Sequence, residues 1–82
     1  MSQSGASVAG AELARIVVAA VADGDAARAR PFLHPYLRWI EGGATVYGRT
    51  TVLGQLSDRS ELAEPARVEL RDGQIYRWFA DD

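Results

Sequence analysis

The chain has 82 residues, no cysteine, one histidine and a formal net charge of −2. That length allows one domain, which buries only roughly 60% of the surface its unfolded chain exposes. Disulfides, thiolate metal sites and a histidine-rich metal centre are excluded, so oligomerisation is the reinforcement left to so small a core.

Residues 1–10 are Ser-, Gly- and Ala-rich and read as a flexible N-terminal tail, with a single domain over residues 11–82. From Ala11 the pattern is helical: Leu13, Ile16, Val17, Ala20 and Val21 fall on one apolar face. The apolar run Ile16 to Ala22 is too short to span a bilayer, and Glu12 and Arg15 interrupt the stretch a signal peptide would need. Gly24 suits a left-handed helix stop, and Asp25 suits the N-cap of a second, short helix through Ala26, Ala27 and Ala29. Pro31 predicts that this helix breaks or ends as a 3₁₀ turn through Phe32 and Leu33.

Tyr36 to Glu41 alternates as a strand, with Leu37, Trp39 and Glu41 on one face and Tyr36, Arg38 and Ile40 on the other. Gly42-Gly43 permits a tight hairpin into a strand from Ala44 to Tyr47. A third helix follows, about Thr50 to Ser57, with Val52, Leu53 and Leu56 inward and Gly54 as a weak point. Asp58 to Pro65 is a polar connection. Asp72-Gly73, between the alternating runs Ala66–Arg71 and Gln74–Phe79, is the strongest local signal, because both turn positions need positive φ. A plain two-residue hairpin pairs Leu70 with Ile75, Val68 with Arg77 and Ala66 with Phe79. It leaves Arg67, Glu69, Tyr76 and Trp78 on the opposite face.

The nine basic residues are all arginine, a mark of GC-rich coding, and they are interleaved with acids. No basic stripe suits nucleic acid and no like-charge block marks a tail. Glycine-rich phosphate loops, zinc spacings and EF-hand patterns are absent. These patterns predict a cytoplasmic protein with no cofactor, no metal, and neither a nucleic-acid nor a membrane partner.

Several residues carry candidate chemistry. Glu41, sharing a face with Leu37 and Trp39, would be partly desolvated, which raises a carboxyl pKa towards the range of a general base. The plain alternative is a solvated glutamate beside a Gly-Gly turn, partnered by an arginine. His34 is the one group that titrates near neutrality when unperturbed; it serves either as a general acid/base or as an imidazole satisfying helix-end carbonyls. Tyr47 and Tyr76 can donate to an oxyanion or pack with their hydroxyls at a rim. Trp39, with Leu37, Tyr47 and Phe79, can line a pocket for a small apolar ligand or fill a core. Tyr76, Trp78 and Arg67 together make a plausible interface hot spot.

The order of these strings resembles the nuclear transport factor 2-like (SnoaL-like) family. Ala22-Asp23-Gly24-Asp25-Ala26 looks like the break between that family's first two helices. Leu33-His34-Pro35-Tyr36-Leu37-Arg38-Trp39 looks like the lead into its first strand, Tyr47-Gly48-Arg49-Thr50-Thr51-Val52-Leu53 like the start of its third helix, and Leu70-Arg71-Asp72-Gly73-Gln74-Ile75 like its terminal hairpin. The resemblance implies an α+β, cystatin-like cone: helices packed on a curved, mostly antiparallel sheet of about four strands, in the order ααββαββ. It sets Glu41 where ketosteroid isomerase-like members place a carboxylate. Family members are usually longer, with more strands between the third helix and the last hairpin. Here a middle hairpin is missing, so the cone is shallower and a partner chain is expected to complete it. The implied role is a non-enzymatic, dimeric module that binds a small molecule or serves structurally. The alternatives are an isomerase-like enzyme with Glu41 as base and a protein-interaction adaptor using Tyr76 and Trp78.

Overall fold

A computed structural model describes residues 3–81, with side chains from residue 9 onward. The protein is an α+β domain: helix α1 (Gln3–Ala22), a 3₁₀ helix (Ala26–Phe32), strands β1 (Leu33–Glu41) and β2 (Ala44–Tyr47), helix α2 (Arg49–Leu56), and strands β3 (Arg67–Arg71) and β4 (Gln74–Phe79). Of the segment read as a tail, residues 1 and 2 lie outside the described residues and the remainder belongs to α1.

α1 ends where Gly24 (φ 74) takes the left-handed conformation. The Gly24 N–H donates to the Val21 carbonyl at 3.0 Å and the Asp25 N–H to the Ala20 carbonyl at 2.9 Å, the paired bonds of a Schellman stop. Pro31 lies inside the 3₁₀ helix, as its missing N–H and fixed φ suggest. The buried face of α1 is made by Gly10, Ala14, Val17, Ala20 and Val21, with Leu13 and Val18 at its margins. Ile16, expected on that face, is 36% exposed. The small residues Gly10 and Ala14 let the helix settle close to β3: a Cβ built on Gly10 would sit 2.9 Å from Val68 Cγ2.

The four strands form one mixed sheet in the order β2-β1-β4-β3. The two hairpins are antiparallel, and β1 and β4, parallel to each other, join them at the centre. Both hairpin turns use positive φ at both positions, Gly42 and Gly43 at 60° and 81°, Asp72 and Gly73 at 56° and 78°. β1 begins upstream of the expected Tyr36, and its pairing with β4 is interrupted between Leu33 and Arg38, the stretch in which Pro35 has no N–H to give.

The last hairpin departs from the regular pairing. Leu70 does face Ile75, but Glu69 pairs with Arg77, Val68 with Trp78 and Arg67 with Phe79, so Tyr76 is the extra residue of a β-bulge. A one-residue bulge reverses the facing of everything beyond it. Trp78, expected on the outer face with Tyr76, is therefore fully buried on the inner face, and Phe79, expected inward, lies outward beside Arg67.

The helices cover only the inner face. Trp39 and Trp78, on adjacent parallel strands, stack there with centroids 4.5 Å apart and planes 8° from parallel. Leu33, Leu37, Val52, Leu56 and Ile75 close around them, each at most 2% exposed. Leu62 pins the connection between α2 and β3 onto this core.

Candidate functional site

The inner face offers little room for chemistry. Where an apolar ligand was expected against Trp39 and Leu37, both side chains are core, and Trp78 covers one face of the Trp39 ring. Glu41 ends β1 on this side, as the alternation predicts. Its Oε1 accepts a hydrogen bond from Trp39 Nε1 at 3.1 Å and an ion-pair contact from Arg59 Nη2 at 2.7 Å. The Arg59 hydrogen bond, then that of Trp39, outweigh the desolvation and hold this carboxyl below its usual range. The shift is opposite in direction to the one a general base requires. Arg59 comes from the polar stretch after α2, which sequence reasoning left without a role.

His34 lies at the opposite end of β1 from Glu41, among the outer-face aromatics and 7% exposed. Its Nδ1 accepts the Tyr36 N–H at 3.0 Å, and Nε2 lies 3.6 Å from Asp72 Oδ2. Its ring meets Tyr76 edge-on at 5.2 Å and Tyr36 at 5.8 Å. The imidazole thus braces the start of β1 against the last turn. No helix-end carbonyl is its partner among the described residues.

The outer face has a different character. Strand pairing sets Arg38 beside Tyr47 on one side and Arg77 on the other, with Arg67, Glu69 and Arg71 along β3. Glu69 is the single carboxylate of the described strand residues on this face, and it holds both Arg77 and Arg67, at 3.1 and 3.2 Å. Arg67 also lies over the Phe79 ring, 3.9 Å from its centroid. Tyr76 stands at the middle of the face, where Arg38, Arg71 and Arg77 approach its ring at 5.9, 5.3 and 5.4 Å. Tyr36 and Tyr47 stand up from the surface at 75% and 65% exposure. Tyr36, Arg38, Tyr47, Gly48, Arg71 and Tyr76 line a concavity of about 380 Å³. Another groove, about 280 Å³, runs between α1 and the start of β3, past Gly10, Ala14, Pro65 and Val68.

Of the expected site residues, the structure brings Tyr47, Tyr76 and His34 to one region of the outer face, while Arg67 and Phe79 pair with each other further along that face, where Arg67 borders the groove beside α1. It separates them from Glu41, Trp39, Leu37 and Trp78, which belong to the inner face. Tyr36, Arg38 and Arg71 were missed as site residues. The signal for two of them was present: a two-residue Gly42-Gly43 turn pairs Arg38 with Tyr47, and alternation puts Tyr36 on the same side.

Among the described residues no cluster of His, Asp or Glu is arranged to hold a metal ion, and no helix is long and apolar enough to cross a membrane. Comparison with family models, with curated proteins and with solved structures finds no match to this chain.

Proposed function

We propose that this chain is a non-catalytic binding module, a shortened member of the nuclear transport factor 2-like group, whose working surface is the outer face of the sheet. The observation that carries the binding role is the Tyr36–Arg38–Tyr47–Arg71–Tyr76 concavity. It gathers exposed aromatic rings and guanidinium groups on the one sheet face that the chain leaves uncovered. The order of helices and strands, with two hairpins joined through a parallel central pair, supports the family reading. Binding without chemistry fits the arrangement better than catalysis, because the acid/base candidates do not converge. Glu41 is held ionised by Arg59 on the inner face, and His34 is engaged by the Tyr36 N–H across the sheet.

A ligand screen by saturation-transfer NMR tests this reading. Compounds that bind wild type are expected to lose binding in a Tyr36→Ser, Tyr47→Ser variant whose circular dichroism and melting temperature are unchanged. Both side chains are exposed, so the fold does not need them. Ligands that bind the variant as tightly as wild type would place the working surface elsewhere.

Self-association through this same face is a second reading, favoured by the exposure of Tyr36 and Tyr47. Trp78 takes no part in it, since it lies in the core.

A further inference from the structure

We infer that the outer-face concavity takes a small anion carried on a flat ring, a carboxylate or a phosphate ester of aromatic type. The inference rests on the binding role proposed for this face and names the class of its ligand.

Arg38 and Arg71 reach the concavity from different strands and converge on one ring, that of Tyr76, with guanidinium carbons 5.9 and 5.3 Å from its centroid. Neither has a carboxylate partner among the described residues, whereas Arg77, the third guanidinium at that ring, is answered by Glu69. Two uncompensated like charges held at one aromatic ring repel each other, and an anion bound by both removes that repulsion. A guanidinium fork matches a carboxylate or phosphate geometrically and donates two parallel hydrogen bonds to it. The rest of the concavity is aromatic. Tyr36 and Tyr47, both largely exposed, offer ring faces to a planar body, while Gly48 has no side chain to fill the floor. Rings pair favourably when offset or edge-to-face, so these walls select a flat, unsaturated ligand over a bulky aliphatic one. The volume, about 380 Å³, falls within the range of small-molecule sites, roughly 300–1,000 Å³. The bulge brings Arg77 onto the outer face beside Tyr76, opposite Glu69, and carries Trp78 into the core.

Titration of the full chain followed by amide NMR, with 1-naphthyl phosphate, 1-naphthoate and the neutral 1-naphthalenemethanol, tests the inference. Both anions are expected to shift the amides of Tyr36, Tyr47 and Tyr76 saturably, and the neutral alcohol to bind at least ten-fold more weakly. Arg38→Gln and Arg71→Gln should each weaken the anions about ten-fold or more, Arg71→Lys should restore part of the loss, and Arg30→Gln, on the exposed 3₁₀ helix, should change nothing. Tighter binding of the phosphate assigns the site to phosphate esters, and tighter binding of the carboxylate to carboxylic acids. Equal binding of the neutral alcohol at the same amides, or undiminished anion binding by both Gln variants, overturns the anion inference and leaves the outer face as a binding surface. No saturable shift with any of the three overturns it as well. Saturable shifts at Gly10, Ala14 and Val68 instead would move the ligand to the groove beside α1 and overturn the outer-face reading itself.

Discussion

Glu41 shows how one neighbour decides what a carboxylate can do. Burial beside Trp39 would push its pKa up, but Arg59 at 2.7 Å and the indole N–H at 3.1 Å both favour the ionised form and prevail. A carboxyl whose folded-state pKa lies below its unfolded value, about 4.3, adds stability that is fully present above that value. The contribution is lost as pH falls through the lowered folded value, when protonation breaks the pair. The Arg59 and Glu41 side chains are 33% and 43% exposed, so solvent screens the pair and its worth is at most about 1 kcal/mol. Urea midpoints measured from pH 7 down to pH 3 should therefore fall on the acid side in wild type, and fall less steeply in Glu41→Gln. Parallel pH profiles for the two proteins would show that the pair contributes nothing to folding.

Two glycines in helices make the corresponding test for elements. Gly54, in α2, has nothing within 4 Å of a built Cβ and no positive φ, so alanine there should only remove backbone freedom from the unfolded chain. Gly54→Ala is expected to stabilise by about 0.5–1 kcal/mol. Gly10→Ala carries the same helix gain, but its methyl would meet Val68 Cγ2 at 2.9 Å, and valine is too stiff at χ1 to swing aside. That substitution should destabilise by about 1–3 kcal/mol, as overpacking does, and a second change, Val68→Ala, should recover part of the loss. Thermal melts of the three variants check the set; a stabilised Gly10→Ala would mean that α1 does not lie so close to β3. The same contrast explains what could be read from the sequence. The Gly24 stop, the Gly42-Gly43 and Asp72-Gly73 turns and the inward trio Val52, Leu53 and Leu56 are dictated by local geometry, and they are where the pattern puts them. The Tyr76 bulge follows from no local rule. It is set by how β4 must meet both Leu33 and Trp39 on β1 across the gap at Pro35, a long-range condition that alternation cannot express. With it went the facing of Trp78 and Phe79. The candidate site was half legible for the same reason: Arg38 and Tyr47 meet through a short turn, whereas Arg71 meets them only through the long-range pairing of β4 with β1.

At the scale of the whole molecule, the radius of gyration is 11.7 Å, close to the roughly 12 Å of a compact chain of this length. One copy suffices to bury the Trp39–Trp78 stack and the aliphatic residues around it, so no second chain is needed to close the core. What a second copy could cover is the outer face, and there the charges matter. A two-fold contact sets a surface against itself. Arg38, Arg67, Arg71 and Arg77 would then oppose the same four residues, with only Glu69 on each side to answer them. Like charges across strands oppose association, and the Tyr36 and Tyr47 rings favour it. Salt separates the two contributions. The screening length is about 30 Å at 10 mM salt and about 8 Å at 150 mM, while apolar contact is barely weakened over that interval. Sedimentation at micromolar concentration should accordingly give a monomer in dilute buffer and progressively more dimer as sodium chloride rises, with the trend abolished in Tyr36→Ser, Tyr47→Ser. A dimer already formed at 10 mM salt that dissociates as salt is added would mean that opposite charges hold the two copies together. The arginine-rich face, having too few carboxylates to supply them, could not then be meeting its own copy.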